Sequence, residues 1–184
     1  MSIFKRIGNM IRSHKQPEPS AQTAPPQLEA VSVGDIVNVD LEEYVVSGKV
    51  VYADPGYAPH RFAYYLQSGR DIHCLVVEKG RSYDCFICRF LEGGLDDPSD
   101  VPTRLDVDGK ATYELEHHRT DRTQTQGNTD FRSGDQVMFW RYFANESDHF
   151  FLQWQDGKFV AMEGTRIPSG EVKIMKSTRG TPQK

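Results

Sequence analysis

From Val33 onward, apolar and polar positions alternate in short runs separated by Gly, Asp and Pro. Gly34-Asp35 leads into Ile36, Val37 and Val39, and residues 44–52 read YVVSGKVVY, rich in the β-branched and aromatic types that favour strands. Asp54-Pro55-Gly56 is a turn signal. Residues 62–67 and 72–77 predict a hairpin across Ser68-Gly69-Arg70, and residues 83–91 predict another strand. Gly93, Gly94, Asp96, Asp97, Pro98, Ser99 and Pro102 then interrupt the pattern.

The second half repeats this grammar. Residues 111–118 predict a strand, and the polar stretch 119–130 predicts a loop. Ser133-Gly134-Asp135 precedes a strand at 136–143, as Val33-Gly34-Asp35 precedes the first one. Residues 150–154 and 159–162 predict a hairpin across Asp156-Gly157, and residues 171–175 a last strand. Residues 151–164 resemble residues 64–80 in order and character. The expected fold is therefore mainly β: two related antiparallel meanders, barrel-like or sandwiched, over 33–176, with pseudo-repeats at about 33–92 and 103–176. Residues 177–184 are expected to be a disordered tail.

Ahead of this body the period changes. Ile3, Phe4, Ile7, Met10 and Ile11 recur at three- and four-residue steps, the spacing of one helix face. Lys5, Arg6, Arg12 and Lys15 fall largely on the remaining arc, and Ser2 is a suitable N-cap. An amphipathic helix over 1–15 with an apolar face and a cationic remainder suits the surface of an anionic bilayer. The same face also suits packing on the body or in a groove of a partner protein. Residues 16–32, with four prolines among Ser, Gln and Ala, predict a flexible, extended linker.

Charge sharpens this division. The 184-residue chain carries a formal −4. Residues 1–15 hold four Lys or Arg and no acid, so the remainder, with 18 basic and 26 acidic residues, holds −8. An acidic body argues against nucleic-acid binding, which depends on basic surface. The apolar positions at the start are broken by charges every few residues, so no secretory signal is expected. No window approaches the roughly 20 apolar residues that span a bilayer. Three cysteines give no disulfide framework, and a cytoplasmic location is expected.

Motifs that carry chemistry are sparse. Cys85-Phe86-Ile87-Cys88 has C-x-x-C spacing, and His73 and Cys74 lie shortly before it, so a zinc set of His73, Cys74, Cys85 and Cys88 is conceivable. In a strand, however, Cys85 and Cys88 point to opposite faces, which favours core thiols. Glu114, Glu116 and His118 would share a strand face. The aromatic set Trp140, Tyr142, Phe150, Phe151, Trp154 and Phe159 reads as core, or as the lining of a pocket. No nucleophile elbow, phosphate-cradling loop or paired-acid motif is visible, so no catalytic residue and no cofactor is expected.

The segments VGDIVNVDLEEYVVSGKVVY (33–52), FAYYLQ (62–67), LVVE (75–78), GDQVMFWRYF (134–143), FLQWQDG (151–157) and EGTRIPSGEVKI (163–174) resemble the bacterial family called domain of unknown function 4178, over about residues 31–176. The resemblance implies a small β domain associated with membrane-stress functions and supplies no catalytic residue. Family members commonly carry a tryptophan before YYL, where this chain has His60-Arg61-Phe62. Residues 1–15 separately resemble the opening helix of phage-shock-type membrane-remodelling proteins, which binds stressed or anionic membrane. The expected function is a non-enzymatic adaptor on the inner face of the cytoplasmic membrane, in envelope-stress response, with a protein partner. The alternatives are a small-ligand or metal-binding domain, and a complex subunit docking through its N-terminal helix.

Overall fold

Glycine and aspartate set the hairpins on which the fold is built. In the computed structural model, which describes residues 27–178, Asp156 and Gly157 both take positive φ and join Gln155 to Lys158 in a two-residue loop. That geometry matches the right-handed twist of the flanking strands. Gly69, also at positive φ, helps join Ser68 to Asp71 in the first half.

Eleven strands result among the described residues: β1 Ile36–Val39, β2 Glu42–Ala53, β3 Arg61–Ser68, β4 Asp71–Lys79, β5 Tyr83–Leu91, β6 Arg104–Val107, β7 Ala111–Gly127, β8 Gln136–Phe143, β9 Asp148–Gln155, β10 Lys158–Ile167 and β11 Lys173–Met175. All pairings are antiparallel. The order β2-β3-β4-β5-β10-β9-β8-β7 closes on itself because the second half of β7 pairs with β2, from Gly48 opposite Gly127 to Ala53 opposite Arg122. The expected mainly-β meanders thus form a closed eight-stranded barrel. β2–β5 and β7–β10 hold equivalent places in it, with seams at β5–β10 and β2–β7. The likeness of 151–164 to 64–80 is one strand out of step with this arrangement, because it aligns β9–β10 with β3–β4 whereas β8–β9 hold the equivalent places.

Two bulges let the long strands serve two layers. In β2 the register shifts between Val46 and Gly48. Before it, Tyr44 and Val46 face an outer core; after it, Val50 and Tyr52 line the barrel interior. In β7 the register shifts between Leu115 and His117. Tyr113 and Leu115 face a second outer core, whereas His117 packs on interior Phe139. An inserted residue reverses the alternation of a strand, so one element can turn opposite faces inward along its length.

Three cores follow. The interior is filled by side chains such as Phe86, Phe139, Phe151 and Met162, all buried. Burying each contributes about 1.5–3 kcal/mol. β1, β11 and a 3-10 turn at Leu28–Ala30 cover the outer face of β3–β5. β6 and the loop carrying Leu95 and Val101 cover the outer face of β8–β10.

Several expectations need correction. Residues 119–127 are strand, not loop, and they supply the pairing that closes the barrel. The flexible linker does not extend to residue 32: Leu28 and Val31 are buried, Tyr64 Oη donates to Leu28 O, and Lys49 Nζ donates to Glu29 O at 2.9 Å and Val31 O at 2.8 Å. The last strand begins at Lys173, after a 3-10 turn at Ser169–Glu171. Ser177, assigned to a disordered tail, donates its N–H to Asp35 Oδ1 at 3.0 Å. The expected helix over 1–15 and most of the linker lie outside the described residues.

Candidate functional site

The two ends of the barrel differ in chemistry. At one end, charged side chains from four strands and a loop converge. Arg61 opens β3, and its guanidinium lies between the rings of Tyr52 and Phe139, 4.1 and 3.3 Å from their centroids. Its Nη2 donates to Asp121 Oδ2 at 3.1 Å. Asp121, on β7, also accepts from Arg119 Nε at 3.1 Å and lies 2.9 Å from His60 Nε2. Arg119 Nη2 donates to Asp54 Oδ2 at 2.6 Å. Beside this group, Arg141 on β8 crosses the interior to Glu78 on β4 and bonds Glu116 at 2.7 Å.

The network decides the ionisation of its members. Burial alone would raise the Asp121 carboxyl, but the His60 hydrogen bond and the charges of Arg61, His60 and Arg119 hold it below its ordinary value. Burial, assisted by the Arg141 charge, lowers the His117 imidazole. Burial also lowers His149, which packs against Phe86.

Asp54, His60 and Asp121 offer oxygen and nitrogen atoms within 4.8 Å of one another, which is the spacing of a cation site. The charges do not suit one. Both carboxylates are already met by guanidinium groups, Arg61 and Arg119. A cation there would have to displace an arginine buried with its partner. The cluster is therefore an internally neutralised plug.

The opposite end opens into a recess of about 520 Å³ lined by Tyr65, Ile72, Phe90, Asp130, Lys158 and Phe159, among others. Tyr65 Oη donates to Asp130 Oδ2 at 3.1 Å, and Lys158 Nζ to Asp130 Oδ1 at 2.5 Å. Phe131, one residue on, is buried in the interior and fixes the loop that carries Asp130. The recess is a mixed apolar and charged cleft, the kind of surface that binds a side chain or a small ligand.

The conceivable zinc set does not assemble. Cys74 and Cys88 oppose each other across β4 and β5 inside the barrel, while Cys85 faces the outer core. His73 lies on the Cys85 side, edge-on to Tyr44. Period-2 alternation separates the ligands, as expected for a strand. All three thiols are free and buried. Burial raises Cys74 and Cys88 and pushes Cys85 up to about 12, so all three stay protonated near neutral pH and are poor nucleophiles and ligands. Glu114, Glu116 and His118 do not form a face, because the β7 bulge interrupts them; Glu116 binds Arg141 and His118 stacks on Trp140. Of the aromatic set, Phe151 fills the interior, and Trp140, Tyr142, Phe150, Trp154 and Phe159 build the second outer core.

Residues 3–15, the membrane-binding set, lie outside the described residues. Among the described residues no helix is long and apolar enough to cross a membrane. The family model described as Domain of unknown function (DUF4178) matches residues 32–169. No curated protein and no solved structure matches the chain.

Proposed function

We propose that this chain, which belongs to the DUF4178 family, is a non-enzymatic adaptor that binds an anionic membrane face through residues 1–15 and a protein partner through its barrel. Two features of the body support this reading. Its interior is filled by side chains, so recognition falls to its outside. The chain is pinned to the barrel from Leu28, so whatever precedes it is presented from a fixed point.

The observation that carries the proposal is the pattern of the leader. Ile3, Phe4, Ile7, Met10 and Ile11 take helical spacing beside Lys5, Arg6, Arg12 and Lys15, ahead of a body of opposite charge. Each cation near an anionic leaflet contributes about 1 kcal/mol. Partial burial of the apolar face adds to this, at up to about 1.5–3 kcal/mol per side chain. Helix formation and immobilisation offset much of it, because so short a helix is marginal in water. The binding is therefore weak, reversible and salt-sensitive. The role belongs to the cytoplasmic side of the membrane, in envelope-stress response.

Phosphatidylglycerol vesicles are expected to sediment the intact chain at low salt. Phe4→Asp/Ile7→Asp should reduce the bound fraction by at least about tenfold, since each lost apolar contact is worth more than about 1 kcal/mol. Equal sedimentation of the two proteins would overturn the membrane role.

A further inference from the structure

The register across five strands places one row of side chains on a single exposed surface. Met175 on β11 lies opposite Ile36 on β1, and Ile36 opposite Val45 on β2. Val45 then lies opposite Gln67 on β3, and Gln67 opposite Ile72 on β4. Directly opposed residues of antiparallel strands share a face. The residues before and after these, such as Val37, Ile174, Tyr44 and Leu66, face the outer core, so the row faces away from it. Met175 is 47% exposed, Val45 49% and Ile72 42%, with Ile36 half-buried. Gln67 is the one polar member.

The row runs along the barrel rim and ends in the cleft, which Ile72 also lines beside Phe90 and Tyr65. Five strands at about 4.8 Å spacing make it about 19 Å long. Scattered apolar residues are ordinary on a protein surface, but a row aligned across five strands and running into a cleft is the shape of an interaction surface.

We infer that this rim row is the docking surface for the apolar face of residues 3–11, so that the leader is covered by its own body when no membrane is present. The inference rests on the membrane reading above and adds its regulation. The dimensions agree. A helix over residues 3–15 is about 20 Å long at 1.5 Å per residue. Residues 16–26, the chain between the leader and the described body, span up to about 36 Å when extended. That exceeds the roughly 15 Å radius of gyration of a body this size. The row also starts where the chain enters the body: Lys176, next to Met175, donates through Nζ to Ala30 O and to Asp35 Oδ2 at 2.8 Å. Opposite charge on leader and body, +4 against −8, favours the closed arrangement. Because the same five apolar residues face either the rim or the lipid, the two states exclude each other, and apparent membrane affinity falls by the open fraction.

Two measurements on the full chain test this. Without lipid, backbone amide NMR spectra of the intact chain and of Phe4→Asp/Ile7→Asp should differ at residues 36, 45, 67, 72 and 175 and their neighbours. Identical spectra in that row would overturn the inference, as would differences that vanish on dilution, which would mean that a second copy occupies the row. Val45→Asp/Ile72→Asp, at exposed positions that leave the core intact, should bind phosphatidylglycerol vesicles at least about threefold more tightly than the intact chain, as expected if about a third of molecules are open. Where the intact chain does bind vesicles, an unchanged affinity in this variant would also overturn it. If the row-specific differences appear while no form of the protein binds vesicles, the docking stands and the membrane role fails.

Discussion

Asp121→Ala is expected to destabilise the protein by about 3–5 kcal/mol, the range for removing one partner of a buried ion pair. The substitution leaves Arg61, 2% exposed, with its charge held between two aromatic rings and without the carboxylate to which it donates; Glu78, opposite it on β4, is engaged by Arg141. Arg119 and His60 lose the same acceptor. Total stabilities of domains are about 5–15 kcal/mol, so the loss should move the urea midpoint by a large fraction of its value. Arg61→Met/Asp121→Leu separates pairing from packing. It removes both charges and keeps bulk, and it should recover most of the loss. A single Asp121→Ala variant as stable as the parent would show that the plug contributes nothing to the fold.

The same groups fix the response to acid. His117 and His149 are lowered in the fold from an ordinary 6.5, so below about that pH the unfolded chain takes up protons that the folded chain resists. Asp121 is lowered from 3.8, so its contribution is complete above that value and is lost as pH falls through it toward the folded value. Both effects have the same sign. Stability measured by urea unfolding should fall from about pH 6.5 downward and steepen below about pH 4. Stability unchanged between pH 7 and 4 would contradict the assignment of buried neutral imidazoles.

Gly48→Ala should cost about 3 kcal/mol or more, at the upper end of what overpacking does. A Cβ on Gly48 would stand 1.9 Å from Asn128 O, a backbone atom that is itself held because Asn128 N–H donates to Ser47 O at 2.9 Å. The clash falls on the pairing of Gly48 with Gly127, where β2 and β7 close the ring. No flexible side chain is available to move aside. Gly170→Ala is the control: nothing lies within 4 Å of its Cβ position, and its φ is not in the left-handed region. There the change should be neutral or stabilising by up to about 1 kcal/mol. A Gly48→Ala midpoint equal to that of Gly170→Ala would mean that the seam is far more compliant than its geometry implies.

Much of the fold was legible where one strand face is apolar. Residues 83–91 and 136–143 form strands with those bounds, and the Asp156-Gly157 turn is where its residues require it. The second half of β7 escaped because its inward positions are Asp121 and Thr123, whose partners are charges and carbonyls rather than apolar neighbours. A strand buried by ion pairs leaves no hydrophobic period to read. β6 escaped because its two apolar residues, Leu105 and Val107, stand among the Gly, Asp, Pro and Ser that read as a break. The bulges are equally silent, since an inserted residue shows only against its partner strand. Of the charged plug, Asp54, His60, Arg61, Arg119 and Asp121 come from distant segments, and no spacing rule joins them. The only hint was local: alternation through Ala63 and Tyr65, both interior, carries Arg61 inward.

The ring closure has a kinetic consequence. Within each half, successive strands meet through connections of two to eight residues, so those pairings are local and quick to form. The two seams instead join positions as remote as Gly48 and Gly127, or Cys88 and Gly164. Such contacts must bear the entropy of closing long loops before any stabilisation is returned. Refolding should therefore run through two preformed half-shells whose mutual docking limits the rate, and until they meet, the open borders of β2 and β5 are the places where a misfolding chain would capture its neighbour.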